Sequence, residues 1–109
     1  MAAGKLRDRI QLFRPVSKQN NIGELVDSFE PVGNPISADV RVVSGREQLK
    51  GGAEKTQQIY TIQIRYYAAL RSAWRLRIET GVTAGEVLEI NTLQPDNKRR
   101  WITIAGTSL

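Results

Sequence analysis

Two segments with apolar residues at every second position constrain the fold of this chain most strongly. They span residues 36–43 and 57–66, and their apolar positions are Ile36, Ala38, Val40 and Val42 in the first and Tyr60, Ile62, Ile64 and Tyr66 in the second. A period of two is typical of β-strands that turn one face to a core. We therefore predict two half-buried strands at the centre of the fold.

The polar stretch between these strands, residues 44–55, is longer than an ordinary hairpin loop. Ser44 and Glu47 have the spacing of a helix capping box, and two glycines follow that suit the end of a helix. We predict a projecting loop with a short helix over residues 45–50. Because long loops often carry function, its predicted contact residues are Ser44, Gly45, Arg46, Glu47, Gln48, Leu49, Lys50, Gly51, Gly52, Glu54 and Lys55.

Short strand-like segments recur along the rest of the chain, near residues 8–15, 24–29, 74–79, 86–91 and 100–105. Pro15 should end the first of them, and Pro31, Gly33 and Pro35 should form a loop before Ile36. We predict a single all-β domain over residues 1–109, with residues 1–7 as a flexible arm. Six or seven short antiparallel strands with almost no helix favour a small β-barrel, whose closure removes exposed edges.

The composition excludes several kinds of site. The chain has no cysteine and no histidine, so disulfides, thiolate metal sites, imidazole metal ligands and the common catalytic triads are ruled out. We expect no cofactor and no bound metal. No run approaches membrane-spanning length, so no membrane contact is expected either. The net charge of +5 and the pI near 10.0 permit an anionic partner.

Paired carboxylates are the chemistry that an enzyme without histidine would need. Glu86 and Glu89 are three residues apart, so on a strand they face opposite sides. Asp39 and Glu47 have no evident supporting residues. We therefore predict no catalytic residues and no enzyme activity.

Binding of single-stranded nucleic acid is the main alternative function. Arg75 and Arg77 share a strand face, Lys98–Arg100 form a second basic group, and Trp74 and Trp101 lie near them in sequence. Aromatic and basic side chains on one surface are typical of such proteins. Trp74, however, alternates with Arg75 and Arg77 and should be a core residue below a solvated charged face.

An ordered series of motifs resembles a known family. The motifs are Gly4–Ile10, Gly23, Ala38–Val40, Ser44–Glu47, Ile62–Tyr66, Arg75, Glu89–Ile90 and Arg99–Trp101. In this order they resemble the head–tail joining (head-closure or connector) proteins of tailed bacteriophages and prophages. Ser37 stands where that family commonly has tryptophan, and the chain ends without the charged tail often seen there.

The resemblance implies a structural protein of the virion, assembled in the host bacterial cytoplasm. Such β-barrel protomers form a ring beneath the portal, extend its channel, help to retain the packaged genome and present a surface to the tail. The implied partners are further copies of the chain, a portal or adaptor ring protein, a tail or tail-terminator protein, and double-stranded DNA that passes through without sequence-specific binding.

The resemblance also implies where contacts form. Residues 44–55 would line the channel or dock on the adjacent ring. Ring interfaces join two different surfaces of the protomer, and the candidates for them are Leu6, Arg7, Arg9, Arg65, Arg75, Arg77, Glu86 and Glu89.

Overall fold

Six antiparallel strands close into a barrel in the computed structural model, which describes residues 6–50 and 53–109, with side chains for 6–43 and 57–109. The strands are β1 (Asp8–Gln19), β2 (Leu25–Lys50), β3 (Ala53–Arg65), β4 (Arg75–Ile78), β5 (Val87–Pro95) and β6 (Trp101–Ser108). Their order around the barrel is β1-β2-β3-β6-β5-β4. The predicted all-β barrel is confirmed. Among the described residues no helix is long and apolar enough to cross a membrane.

The core lies inside the barrel and consists of the alternating apolar residues of its strands. The largest fully buried side chains are Ile10, Leu12, Tyr60, Ile62, Ile64, Leu76, Ile78, Leu88 and Ile104. Tyr60 keeps its hydroxyl satisfied by donating to Gln58 Oε1 at 2.7 Å. Gly106 lies opposite Tyr60, and a Cβ there would come within 3.1 Å of the Glu89 carbonyl oxygen. A side chain on this residue would therefore disturb the packing of β5 on β6.

The prediction of a loop from Pro31 to Pro35 is wrong, because strand β2 continues through these residues with a bulge. Ile36 lies opposite Ile10 and Val32 opposite Leu12, so residues 33–35 face Gln11 alone. The buried Gln11 amide donates from Nε2 to the carbonyl oxygens of Leu12, Val32 and Gly33 at 3.1–3.2 Å. Gly33 adopts φ +63°, which glycine takes without strain. The side chain of Gln11 thus replaces the missing ladder bonds and keeps the strand continuous.

The prediction that Pro15 ends the first strand is also wrong. β1 continues to Gln19, with Pro15 opposite Phe29 of β2. Pairing of β1 with its other neighbour, β4, reaches only Phe13 opposite Arg75. Beyond that point β1 is bonded on one side, and a strand with one unpaired side tolerates a residue that lacks an N–H group.

The predicted helix over residues 45–50 is wrong as well. These residues extend β2 and pair with β3, from Ser44 opposite Ile59 to Lys50 opposite Ala53. The capping-box spacing is a local signal, and one or two helical turns have a high nucleation cost. Strands β2 and β3 are already aligned in the barrel, so further residue pairs between them form backbone hydrogen bonds without a new nucleation step. Gly51 and Gly52, predicted to end the helix, lie outside the described residues.

Two β-ribbons extend beyond the closed barrel, and β2 contributes to both. The first ribbon, residues 13–31, consists of the ends of β1 and β2 that meet at a turn over residues 20–24. The second ribbon, residues 43–50 and 53–59, consists of the ends of β2 and β3. A second bulge, which leaves Val43 without a partner, marks the point where the second ribbon begins. Val42 is accordingly 50% exposed, although it was predicted on the buried face.

Candidate assembly surfaces

The carboxylates of the described residues are distributed over the surface and do not converge in a pocket. Within residues 6–43 and 57–109, whose side chains are described, no group of three acidic side chains is placed to hold a metal ion. Glu79 is paired with Arg77, and Glu30 with Arg14. The surfaces available for function are therefore the two ribbons and the grooves at the side of the barrel.

The tip of the first ribbon is a well-formed turn that carries exposed apolar side chains. Asn20 Oδ1 accepts hydrogen bonds from the backbone N–H groups of Ile22 and Glu24, both at 3.0 Å, and Gly23 adopts φ +85°. Ile22 and Leu25 are 77% and 73% exposed. Folding has left these two large apolar residues in water, although their backbone is held by specific bonds. This tip was not among the sites predicted from the sequence.

The base of the first ribbon is held against β4 by two arginines. The Arg75 guanidinium lies 4.2 Å from the centre of the Phe29 ring, and that of Arg77 lies 5.2 Å from the centre of Phe13. Each such stack contributes about 0.5–1 kcal/mol at a partly exposed site. Both arginines were predicted to contact another subunit, and the structure places them against aromatic rings of their own chain.

The two predicted acidic partners of these arginines lie close to them in the same sheet. Glu89 of β5 is exposed and directly opposite Arg75 of β4. Glu86 is half-buried just before β5. Burial, with a smaller contribution from the charge of Glu86, raises the pKa of Tyr60. Whether Glu86 and Glu89 contact another subunit stays a prediction.

Three arginines meet in a groove where β3 ends beside the start of β6. This arginine groove has a volume of about 720 Å³ and is lined by Gln63, Arg65, Tyr66, Asp96, Arg99, Arg100 and Trp101. Arg65 lies opposite Trp101, with its guanidinium 5.4 Å from the centre of a Trp101 ring. The pairing of β3 with β6 therefore joins two basic segments that are far apart in the sequence.

Asp96 organises the turn that carries Arg99 and Arg100. Its Oδ1 accepts hydrogen bonds from the backbone N–H groups of Arg100 at 2.6 Å and Trp101 at 3.2 Å. Desolvation raises the pKa of Asp96, but these bonds and the charge of Arg100 outweigh it and leave the pKa below its usual value. Arg99 is held at φ +53°, an uncommon conformation for a residue other than glycine.

A second, mostly apolar groove adjoins the arginine groove and shares Arg65 and Tyr66 with it. This apolar groove has a volume of about 490 Å³ and is lined by Arg9, Leu12, Val32, Gly33, Asn34, Pro35, Ile36, Ser37, Arg65, Tyr66 and Tyr67. The bulge in β2 forms one wall. Tyr67, on another wall, meets the Trp74 ring edge-on at 6.0 Å. The sequence analysis missed this groove because it treated the bulge as a loop.

Of the remaining predicted contact residues near the N-terminus, Arg9 lines the apolar groove. The backbone of Arg9 is fixed, since its N–H group donates to Thr80 Oγ1 at 3.0 Å and its carbonyl accepts from Glu79 N at 2.8 Å. The Arg9 side chain is exposed at the rim of the groove. Leu6 is half-buried and Arg7 exposed just before β1. The rest of the predicted arm, residues 1–5, lies outside the described residues.

The residues predicted for the contact loop come together on the second ribbon. Ser44–Lys50, Glu54 and Lys55 are placed there by backbone pairing across β2 and β3, whereas Gly51 and Gly52 lie outside the described residues. The described residues of this segment thus form a strand pair, and its projection from the barrel stays a prediction. Its role in contacts stays a prediction.

The sequence of this chain matches one known protein family. Residues 1–107 match the family described as phage head completion protein. The chain is 36% identical, over 90 residues, to head completion protein gp7 of Enterobacteria phage HK97, an alignment that covers 83% of this chain and 80% of that protein.

Two solved structures have a similar fold. The solution structure of protein SF1141 from Shigella flexneri 2a superposes with a TM-score of 0.75 at 29% identity, and the match covers 99% of this chain and 96% of that one. A chain from the virion of a native gene transfer agent particle superposes with a TM-score of 0.70 at 18% identity, covering 94% and 96%. At 18% identity the second likeness concerns the fold alone.

Proposed function

The chain belongs to the phage head completion protein family, and we propose that it forms a ring in the head–tail connector of a tailed phage or prophage. Head completion proteins are structural proteins of the virion, and this chain is accordingly a virion component. In the proposed role the ring extends the portal channel, helps to retain packaged DNA and offers the tail an attachment surface. Its neighbours would be a portal or adaptor ring protein and a tail or tail-terminator protein.

The observation that supports this proposal most strongly is the pair of ribbons outside a closed barrel. A closed barrel has no free edge through which a partner strand can be added. Contacts with neighbours must therefore come from side-chain surfaces and from the ribbons. The second ribbon contains residues 44–50 and 53–55, the described part of the segment for which the family resemblance implies a place in the channel or against the adjacent ring.

The predicted contact residues Leu6, Arg7, Arg9, Arg65, Arg75, Arg77, Glu86 and Glu89 remain candidates for the interface between copies. The structure favours two of them. Arg9 and Arg65 are exposed at the rim of the apolar groove. Arg65, Arg75 and Arg77 all lie over aromatic rings of their own chain, so an intermolecular contact would add to an existing internal role. Of these three arginines, Arg65 is the most exposed.

Shortening the second ribbon tests the proposal. Removing residues 46–57, which pair with one another in register, and joining Gly45 to Gln58 through Asn-Gly should leave the barrel folded. In particles that depend on this variant, we expect filled heads that lose DNA or fail to join tails. The matched control is Val82→Ala, on the exposed turn between β4 and β5, which belongs to neither ribbon. DNA-retaining, tail-bearing particles from the second-ribbon deletion would contradict the proposed role of this segment.

Binding of single-stranded nucleic acid has one observation in its favour. Arg65, Tyr66 and Trp101 line a single groove, whereas the sequence analysis placed aromatic and basic side chains on opposite faces around Trp74. Titration of an oligonucleotide at two salt concentrations tests this function. Affinity that falls steeply with salt and is lowered further by Trp101→Leu would support it, and the absence of measurable binding would eliminate it.

A further inference from the structure

The tip of the first ribbon combines exposed apolar side chains with negative charge. Glu24 and Asp27 are exposed on either side of Leu25 and Val26. Residues 17–27 contain these two carboxylates and one cation, Lys18, so the segment has a net charge of −1 in a chain of net charge +5. The tip is thus an acidic, apolar surface on a basic protein.

The apolar groove has the complementary character. Its walls include Leu12, Ile36 and Tyr67, and its only charged lining residues among the described part of the chain are Arg9 and Arg65. The volume of about 490 Å³ is in the range of sites that accept several side chains or a small ligand. The arginine groove next to it adds Arg99 and Arg100, which increase the positive charge around its mouth.

The tip cannot reach the groove of its own molecule. Leu12 lies in the wall of the groove, and Asn20 begins the turn at the tip, eight residues further along the same ribbon. At a rise of about 3.3 Å per residue the two are about 26 Å apart. The ladder between β1 and β2 is continuous from Leu12 opposite Val32 to Gln19 opposite Leu25, so the ribbon has no break at which to fold back.

We propose that the tip of the first ribbon seats in the apolar groove of a second copy of this chain. Ile22 and Leu25 enter the groove, while Glu24 and Asp27 face Arg9 and Arg65 at its rim. Each copy has one tip and one groove, so the contact is heterologous and closes into a ring or continues as a filament. This inference rests on the ring proposed above and identifies the two surfaces that join.

The two parts of the contact contribute differently. Burying Ile22 and Leu25 removes apolar surface from water and supplies the affinity. The charged rim is exposed, where ion pairs add little affinity but select the partner and its orientation. The turn built by Asn20 holds the tip in one conformation before binding, which reduces the entropy lost on association.

Site-directed cross-linking tests the contact, because the chain has no cysteine of its own. Asn21→Cys labels the tip and Asn34→Cys labels the groove, and both asparagines are exposed. The two purified full-length variants are mixed at about 1 mM, where an interaction as weak as Kd 1 mM is still well populated, and then oxidised. We expect a covalent dimer that contains one copy of each variant. The matched control is Val82→Cys, fully exposed on the turn between β4 and β5, which is neither in the tip nor among the residues that line the groove.

Charge exchange provides the second test. Glu24→Arg with Asp27→Arg in the tip-labelled copy should slow cross-linking about tenfold, because attraction at the rim becomes repulsion. Arg9→Glu with Arg65→Glu in the groove-labelled copy should restore it. Unchanged thermal unfolding of each variant establishes that the barrel is intact.

Three results would overturn the inference. One is cross-linking of Asn21→Cys to Val82→Cys as fast as to Asn34→Cys, and another is tip-to-tip dimers as the main product. The third is capture of the tip by a different protein in assembled heads. If sedimentation shows rings while tip and groove do not cross-link, the proposed ring stands and this contact is wrong. If tip and groove cross-link while sedimentation shows open filaments, the contact stands and the ring is wrong.

Discussion

The two ribbons of this protein share strand β2, and each continues a ladder of the barrel past a bulge in that strand. At the base of the first ribbon, Gln11 donates to the carbonyls of the neighbouring bulge, and Arg75 and Arg77 of β4 stack on the phenylalanines of the ribbon. The second ribbon is described by its backbone pairing, from Ser44 opposite Ile59 to Lys50 opposite Ala53. The comparison shows that side chains of a third strand, β4, contact the first ribbon beyond the point where the β1–β4 ladder ends at Phe13.

The largest expected effect on stability comes from removing the hydrogen bonds that Gln11 makes to the bulge of β2. Gln11→Met keeps the length of the side chain but removes the donor for the carbonyls of Val32 and Gly33. Partly buried carbonyls without a partner should lower the free energy of unfolding by about 2 kcal/mol. Denaturant titration measures this loss. Gln19→Met, at the exposed end of β1, is the control and should change stability by less than about 0.5 kcal/mol.

A smaller effect is expected from removing one of the stacked arginines. Arg75→Ala should lower the free energy of unfolding by about 1 kcal/mol, because it exposes the Phe29 ring and removes the cation above it. Hydrogen exchange should rise in residues 25–31 of the first ribbon and stay unchanged in β6. A double-mutant cycle with Phe29→Ala isolates the pair. Additive effects of the two substitutions would show that the stack does not hold the ribbon.

The smallest effect concerns pH and a region outside both ribbons. Because the pKa of Asp96 is lower in the folded protein than in the unfolded chain, its carboxylate stabilises the fold above its unfolded pKa. This contribution is lost as the pH falls through the lowered folded pKa. Asp96→Asn should therefore flatten stability below about pH 4 while leaving exchange in both ribbons unchanged. An acid transition identical to that of the parent protein would contradict this role for Asp96.

The strand faces were the part of the fold that local pattern predicted well. Ile62 and Ile64 alternate with polar residues, and both are fully buried on the predicted face. Trp74, predicted as a core residue, packs against the core cluster. These assignments succeed because a strand must sort its side chains between core and water at every second residue, and the sequence records that sorting directly.

The errors all occurred where a distant residue decides the backbone. The sequence from Pro31 to Pro35 predicts a loop, but Gln11, more than twenty residues away from the bulge, supplies hydrogen bonds that keep it within a strand. The spacing of Ser44 and Glu47 predicts a helix cap, but the backbone groups of this segment form the ladder with β3 instead. The apolar groove could not be predicted from local sequence, because its walls come from β1, the bulge of β2 and the segment after β3.

The amino-acid sequence by itself determined that this chain is an all-β barrel with one buried face per strand, that it has no histidine or cysteine chemistry, and that it resembles the head–tail joining proteins of tailed phages. Tertiary structure alone decided that β2 is one long strand, that both of its ends leave the barrel as ribbons, and that Arg9 and Arg65 frame one groove. The alternation of apolar and polar residues depends only on neighbouring positions in the sequence. Register, bulges and grooves depend on which strands meet, and that is settled only when the barrel closes.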